Sequence, residues 1–116
     1  MIVENLQNGK IVECNSATTS FQRFRGLMFR GKIIPILFDF GKEGIFPIHS
    51  FFVFSKFVAL YISSEGEILE VYPVNPFQPY VSNVNPARYL LEIDHMRAAW
   101  FRKGDKVKIS CSGGKS

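Results

Sequence analysis

Residues 57–74, Phe57-Val-Ala-Leu-Tyr-Ile-Ser-Ser-Glu-Gly-Glu-Ile-Leu-Glu-Val-Tyr-Pro-Val74, decide how the rest of the chain is read. Phe57 to Ile62 is a short apolar run that ends on the turn residues Ser63-Ser64-Glu65-Gly66. Glu67 to Val74 then alternates, with Ile68, Glu70 and Tyr72 assigned to one face. Two short strands around a Gly-containing turn are a β signal rather than a helical one. The flanks repeat it. Ile34 to Phe40 reads as a strand with Pro35 near its start, Gly41 to Gly44 as a turn, and Ile45 to Phe54 as a further strand with a break at Ser55-Lys56.

Downstream, Asn75 to Pro86 carries Pro76, Pro79 and Pro86 and reads as a long ordered loop. Arg88 to Asp94 is an expected strand, His95 to Phe101 a helical turn, Lys103-Gly104-Asp105 a turn, and Lys106 to Cys111 the closing strand. Upstream, Met1–Leu6 and Lys10–Cys14 form an expected hairpin around Asn8-Gly9, a pair that suits a type I′ turn. Thr18 and Thr19 offer N-caps for a helix over about Ser20 to Arg30, with Phe21, Phe24, Leu27 and Met28 on one face and Gly31 as its stop. The expected fold is mainly β: a small single-domain antiparallel barrel or sandwich with one early α-helix and one short helical turn near the C-terminus. Residues 1–111 form the domain and 112–116 a flexible tail.

Composition fits a single core. The chain has 116 residues, 47 % apolar and 15 % aromatic, with twelve Phe. Its net charge of +4 comes from 14 basic and 10 acidic residues dispersed along the chain, so no polybasic run points to nucleic acid or anionic lipid. The apolar stretch Ile45–Ile62 is interrupted by Pro47, His49, Ser50, Ser55 and Lys56, which argues against a membrane span. The opening residues lack a basic and apolar leader, so a cytoplasmic location is expected. Cys14 and Cys111 form no CxxC or Cys/His cluster. They read as reduced thiols, with a disulfide possible only if their strands are neighbours.

Three segments carry a family resemblance: Arg25-Gly26-Leu27-Met28-Phe29-Arg30; His49 to Ser63 leading into Gly66-Glu67-Ile68; and Tyr89-Leu90-Leu91-Glu92-Ile93 followed by Lys103-Gly104-Asp105-Lys106-Val107. In this order and spacing the chain resembles domain-of-unknown-function family 192 over roughly residues 10–110, as a divergent member. The resemblance implies a single-domain, mainly β fold with one early helix, and no reaction. Members of that family carry acids at the positions matched here by Val58 and Ser63. The Ala-Gly turn after their Leu-Glu strand is replaced by Asp94-His95-Met96. If those acids build a shared site, it is altered or absent in this chain.

The candidate ligand-binding residues are Arg25, Arg30, His49, Ser50 and Glu92. Arg23 and Arg30 lie two turns apart on the outer helix face with Arg25 beside them, and a guanidinium fork suits carboxylate or phosphate. The plainer alternative is a solvated face with Arg25 paired to a carboxylate such as Glu92. His49 and Ser50 interrupt an apolar run, where a titratable group needs a partner. Glu92, Asp94 and His95 are potential metal ligands without a ligand motif, and Asp94 serves equally as an N-cap; no metal and no cofactor are expected. Phe77 and Tyr80 on the Pro-rich loop either line a partner surface or cover the end of the core. The expected function is a non-catalytic binding module for a small anion or a protein partner, with a small hydrolytic enzyme using His49 as the alternative. Oligomeric state is not legible.

Overall fold

A computed structural model of the chain describes residues 1–17, 33–48, 55–78 and 80–111. Their strands are β1 (Ile2–Asn5), β2 (Ile11–Glu13), β3 (Asn15–Ala17), β4 (Ile36–Gly44), β5 (Phe57–Ile62), β6 (Ile68–Val74), β7 (Ala87–Ile93) and β8 (Val107–Ser110), with one helical turn, α1 (His95–Ala98), between β7 and β8. The strands form a three-stranded sheet in the order β2-β1-β8 and a five-stranded sheet in the order β3-β4-β7-β5-β6. The architecture is sandwich-like and not a closed barrel. All pairings are antiparallel except β3 with β4, which is parallel. The early helix and the C-terminal tail fall outside the described residues. No helix among the described residues is long and apolar enough to cross a membrane.

The expected hairpin is present, with Ile2 opposite Glu13, Val3 opposite Val12 and Glu4 opposite Ile11. Its turn is different from the one its Asn-Gly pair suggests. Asn5 N–H donates to Lys10 O and Gly9 N–H to Asn5 O, both at 2.8 Å, and only Gly9 has positive φ. A type I′ turn needs two such residues, so the chain closes a wider loop instead. Asn5 explains why. Its buried amide donates to Trp100 O and Asp105 Oδ2, both at 2.8 Å, and its Oδ1 accepts from Gln7 N–H at 2.9 Å. Tertiary bonds to the β8 end of the molecule set the loop.

Between β2 and β3 the chain passes from one sheet to the other at Cys14, whose N–H donates to Met1 O at 2.8 Å while Asn15 N–H donates to Pro35 O at 2.9 Å. Cys14 is buried and Cys111 exposed, both free, as expected of reduced thiols. Burial pushes the Cys14 thiol up to about 11, far from a reactive thiolate.

Two departures from simple alternation shape the five-stranded sheet. The first corrects the expected turn at Gly41–Gly44, because β4 runs through it. Asp39 pairs Tyr89 and Gly44 pairs Ala87, so residues 40–43 stand against Arg88 alone, and Gly41 N–H folds back onto Asp39 Oδ1 at 2.8 Å. The second lies in β6. Tyr61 pairs Glu70 but Ile62 pairs Ile68, leaving Leu69 as an extra residue. The bulge turns Ile68 to the face opposite Glu70 and Tyr72, correcting the single face that alternation assigns to all three.

Those faces bury different clusters. Val58, Leu60, Ile62, Ile68, Leu91 and Ile93 pack inward against Val3, Val12 and Val107 of the small sheet. Phe57, Ala59, Tyr61, Leu90, Ile36 and Phe38 fill the outer face, with Val74, Val81 and Ala87. Strand β5 is therefore buried at all six residues. The turn into β6 fits against β8: Gly66 N–H donates to Ser63 O at 3.0 Å and Val107 N–H to Gly66 O at 2.7 Å. Gly66 has φ +89°, and a Cβ there would stand 2.5 Å from Val107 O. Gly66→Ala is expected to lower unfolding free energy by about 2 kcal/mol or more, from the conformation and the backbone clash together. Urea denaturation of the two proteins measures it, and a loss below half that value would mean the turn moves freely.

Candidate functional site

Of the five candidate residues, the described structure contains one. Arg25, Arg30, His49 and Ser50 lie outside the described residues. Ile48, immediately before His49, exchanges backbone bonds with Val81 (2.7 and 2.9 Å) and packs on the outer cluster. Glu92 sits in β7, opposite Ile36 of β4 and Ala59 of β5. It shares the outer face with Leu90 and is 5 % exposed. Asp94 and His95, weighed beside it as metal ligands, go elsewhere. Asp94 caps α1, accepting from Arg97 N–H at 3.2 Å and from its guanidinium at 2.7 Å, while His95 is exposed. Among the described residues no group of His, Cys, Asp or Glu is arranged to hold a metal ion.

The environment of Glu92 differs sharply from that of a second buried carboxylate, which sequence reasoning missed. Glu70, 6 % exposed, accepts from Val84 N–H (2.9 Å), Asn85 N–H (2.7 Å), the Asn85 amide (3.3 Å) and the Tyr72 hydroxyl. Burial alone would raise its pKa. The bonds from Tyr72, Asn85 and Val84 outweigh that and hold it below the usual carboxylate range. Glu92 has no hydrogen-bond or ion-pair partner among the described residues, and burial pushes its carboxyl up to about 8. The nearby Tyr61 feels both effects: burial first, then the charge of Glu92, drive its hydroxyl pKa upward.

Glu70 also fixes the Pro-rich loop. Beside it, buried Asn83 accepts from Phe46 N–H (2.9 Å) and donates to Gly44 O (2.9 Å) and Asn85 O (2.8 Å). Tyr61 donates its hydroxyl to Phe46 O at 2.7 Å, and the Phe46 ring stacks on Phe40 at 3.9 Å. The loop is thus tied from beneath by buried polar groups. Its outer residues are nonetheless open, with Phe77 54 %, Tyr80 66 % and Val84 79 % exposed. Phe77 adopts φ +59°, a conformation that an aromatic residue rarely takes. The polar residues that anchor the loop were visible only as loop-forming Asn and as one acid in an alternating strand.

Val58 is buried between the sheets, and Ser63 Oγ accepts from Glu67 N–H at 3.1 Å to close the turn. Among the described basic residues, Arg88 forks onto both oxygens of Asp39 (3.0 and 3.2 Å), Arg97 binds Asp94, and Lys106 lies 3.6 Å from Glu67.

Comparison with known proteins agrees with this fold. The model of the family DUF192, described as an uncharacterized ACR, matches residues 2–109. A proposed transcription regulator from Sinorhizobium meliloti superposes with a TM-score of 0.81 at 22 % identity, over 92 % of this chain and 89 % of its own. A protein of unknown function from Novosphingobium aromaticivorans gives 0.83 at 18 % identity, over 93 % and 82 %. Among curated proteins none matches. At such identities the likeness extends to the fold alone.

The two carboxylates predict opposite pH behaviour. Glu92 holds a proton in the folded chain that the unfolded chain releases near the ordinary carboxylate pKa. Its contribution therefore favours folding at low pH and is lost as pH rises from that range towards 8. Glu92→Gln is expected to flatten this decline and to stabilise the protein above pH 8 by a few kcal/mol, since each tenfold change in proton affinity is worth about 1.4 kcal/mol. Denaturation profiles at pH 5 and pH 9 measure it. Glu70 runs the other way, stabilising above its unfolded pKa and losing that contribution in acid. Glu70→Gln should cost about 2–4 kcal/mol at pH 7, because an amide would face donors with a donor.

Proposed function

The chain belongs to the DUF192 family, and from that premise we propose that it is a non-catalytic binding module that takes a protein partner on its 75–86 loop. One observation carries the reading: buried Glu70 and Asn83 brace a loop on which Tyr80 and Val84 are exposed and Phe77 is half-exposed. Ordering a loop costs conformational entropy, and exposing aromatic side chains on it gains nothing in the free chain. Held rigid, the same residues bind with little further ordering, which is how aromatic anchors concentrate binding energy. A small anion is the less favoured ligand. Glu92 is an acid without a partner among the described residues, and the anion reading draws on Arg25 and Arg30, outside them.

A second reading, a small hydrolytic enzyme, draws on Glu92. A buried carboxyl that keeps its proton near neutrality is a competent general acid. That reading requires His49 to act beside it, and loss of hydrolysis in both Glu92→Gln and His49→Ala would favour it over the binding module.

The partner surface is tested by placing a photo-crosslinking residue at Tyr80, at Val84 and, as a control on the small sheet, at exposed Ile11. Tyr80 and Val84 should capture the same discrete protein, and Ile11 should not. Once the partner is in hand, Phe77→Ser and Tyr80→Ser should each weaken binding by about 1–2 kcal/mol. Identical capture from all three positions, or none from the loop, would refute the assignment.

A further inference from the structure

We propose that the partner taken by the 75–86 loop is a second copy of this chain, an inference that rests on the loop being a docking surface. The loop does not stand alone. Asn83 Oδ1 accepts from Phe46 N–H at 2.9 Å and its amide donates to Gly44 O at 2.9 Å, while Ile48 and Val81 exchange backbone bonds at 2.7 and 2.9 Å. Residues 44–48 therefore run along residues 81–87, with Gly44 opposite Ala87. Ile45 lies between the two residues that Asn83 holds and is 49 % exposed, beside a loop on which Tyr80 and Val84 are open to solvent. With half-exposed Phe77 these side chains present on the order of 400 Å² of mostly apolar surface, about half of what each partner gives to a standard interface.

The charge and the polar groups of this surface select its occupant. Residues 44–48 and 75–86 contain no Asp, Glu, Lys, Arg or His, in a chain that is 21 % charged and carries a net charge of +4. Two like-charged copies repel wherever their basic residues face each other, and a patch without charge is where they meet at no such cost. A foreign partner is ordinarily steered and oriented by opposite charge, and these segments hold no charge for it to answer. The polar groups beneath the patch are turned inward. Glu70, Asn83 and the Tyr61 hydroxyl are all bonded within the chain, so a second apolar patch can cover them without stranding a donor or an acceptor. Uncharged apolar surface is complementary to itself, and a two-fold contact between identical patches closes on a dimer.

Sedimentation equilibrium of the purified full chain tests this, over a range from about 10 µM to about 1 mM. The average mass should rise from the 13.2 kDa of one chain towards twice that value and stop there. Raising the salt from about 0.15 M to about 1 M should not reverse the rise, since no ion pair holds the contact. Val84→Asp and Val84→Lys should each raise the dissociation constant about tenfold or more, because a copy of the same variant repels either sign. A charged foreign partner would instead accept one of the two. Ile11→Asp, at an exposed position on the small sheet, should leave the association unchanged. A chain that stays at 13.2 kDa throughout, growth past the dimer, or equal pairing by both Val84 variants and the parent overturns the proposal. If the chain stays monomeric while crosslinkers at Tyr80 and Val84 capture one other protein, the loop remains a docking surface and self-association alone fails.

Discussion

Strand β5 meets water on neither face, and much of the molecule follows from covering it. Its odd and even residues feed two different clusters, one between the sheets and one on the outside of the larger sheet. A two-layer sandwich covers only the inner face. The outer face must be closed by connecting segments, and those carry backbone polar groups that cannot be buried without partners. Glu70, Asn83 and the Tyr61 hydroxyl meet that requirement where the 75–86 loop and the residues around Phe46 descend onto the sheet. The buried polar residues of this face are a result of its topology.

Within that frame, Glu70 and Glu92 show how position on one face assigns different chemistry to the same side chain. Glu70 stands in the edge strand next to a loop whose Val84 and Asn85 N–H groups reach it, and it is satisfied. Glu92 stands in the central strand, flanked on both sides by strands whose N–H groups are committed to the ladder, and no described donor reaches it. That no described donor meets it follows from that placement.

The sequence carried the strand pairs at 57–74, the central strand near 88–94 and the helical turn after Asp94, because apolar runs, turn residues and a capping acid are local signals. It misplaced Ile68 relative to Glu70 because the bulge at Leu69 is set by pairing to β5, which alternation alone does not record. It misread Gly41–Gly44 because two glycines signal a turn as readily as a bulge, and only the pairing to Ala87 distinguishes them. The Asn5 and Asn83 networks join residues dozens of positions apart. As isolated asparagines they look like turn formers. Glu92 is legible in the sequence as a candidate partner of Arg25, but that no described donor reaches it emerges only when the strand order is known.

The strand edges have a consequence of another kind. At the far edge of the large sheet, β6 contains Pro73, which lacks an N–H to offer a further strand, while β3 at the other edge is three residues long. The small sheet ends on the three-residue β2 and on β8, which carries Lys108. Each described edge is thus short, charged or interrupted by proline, the devices that keep exposed strands from templating fibrils. A chain with twelve Phe can then be concentrated without its described strands zipping together.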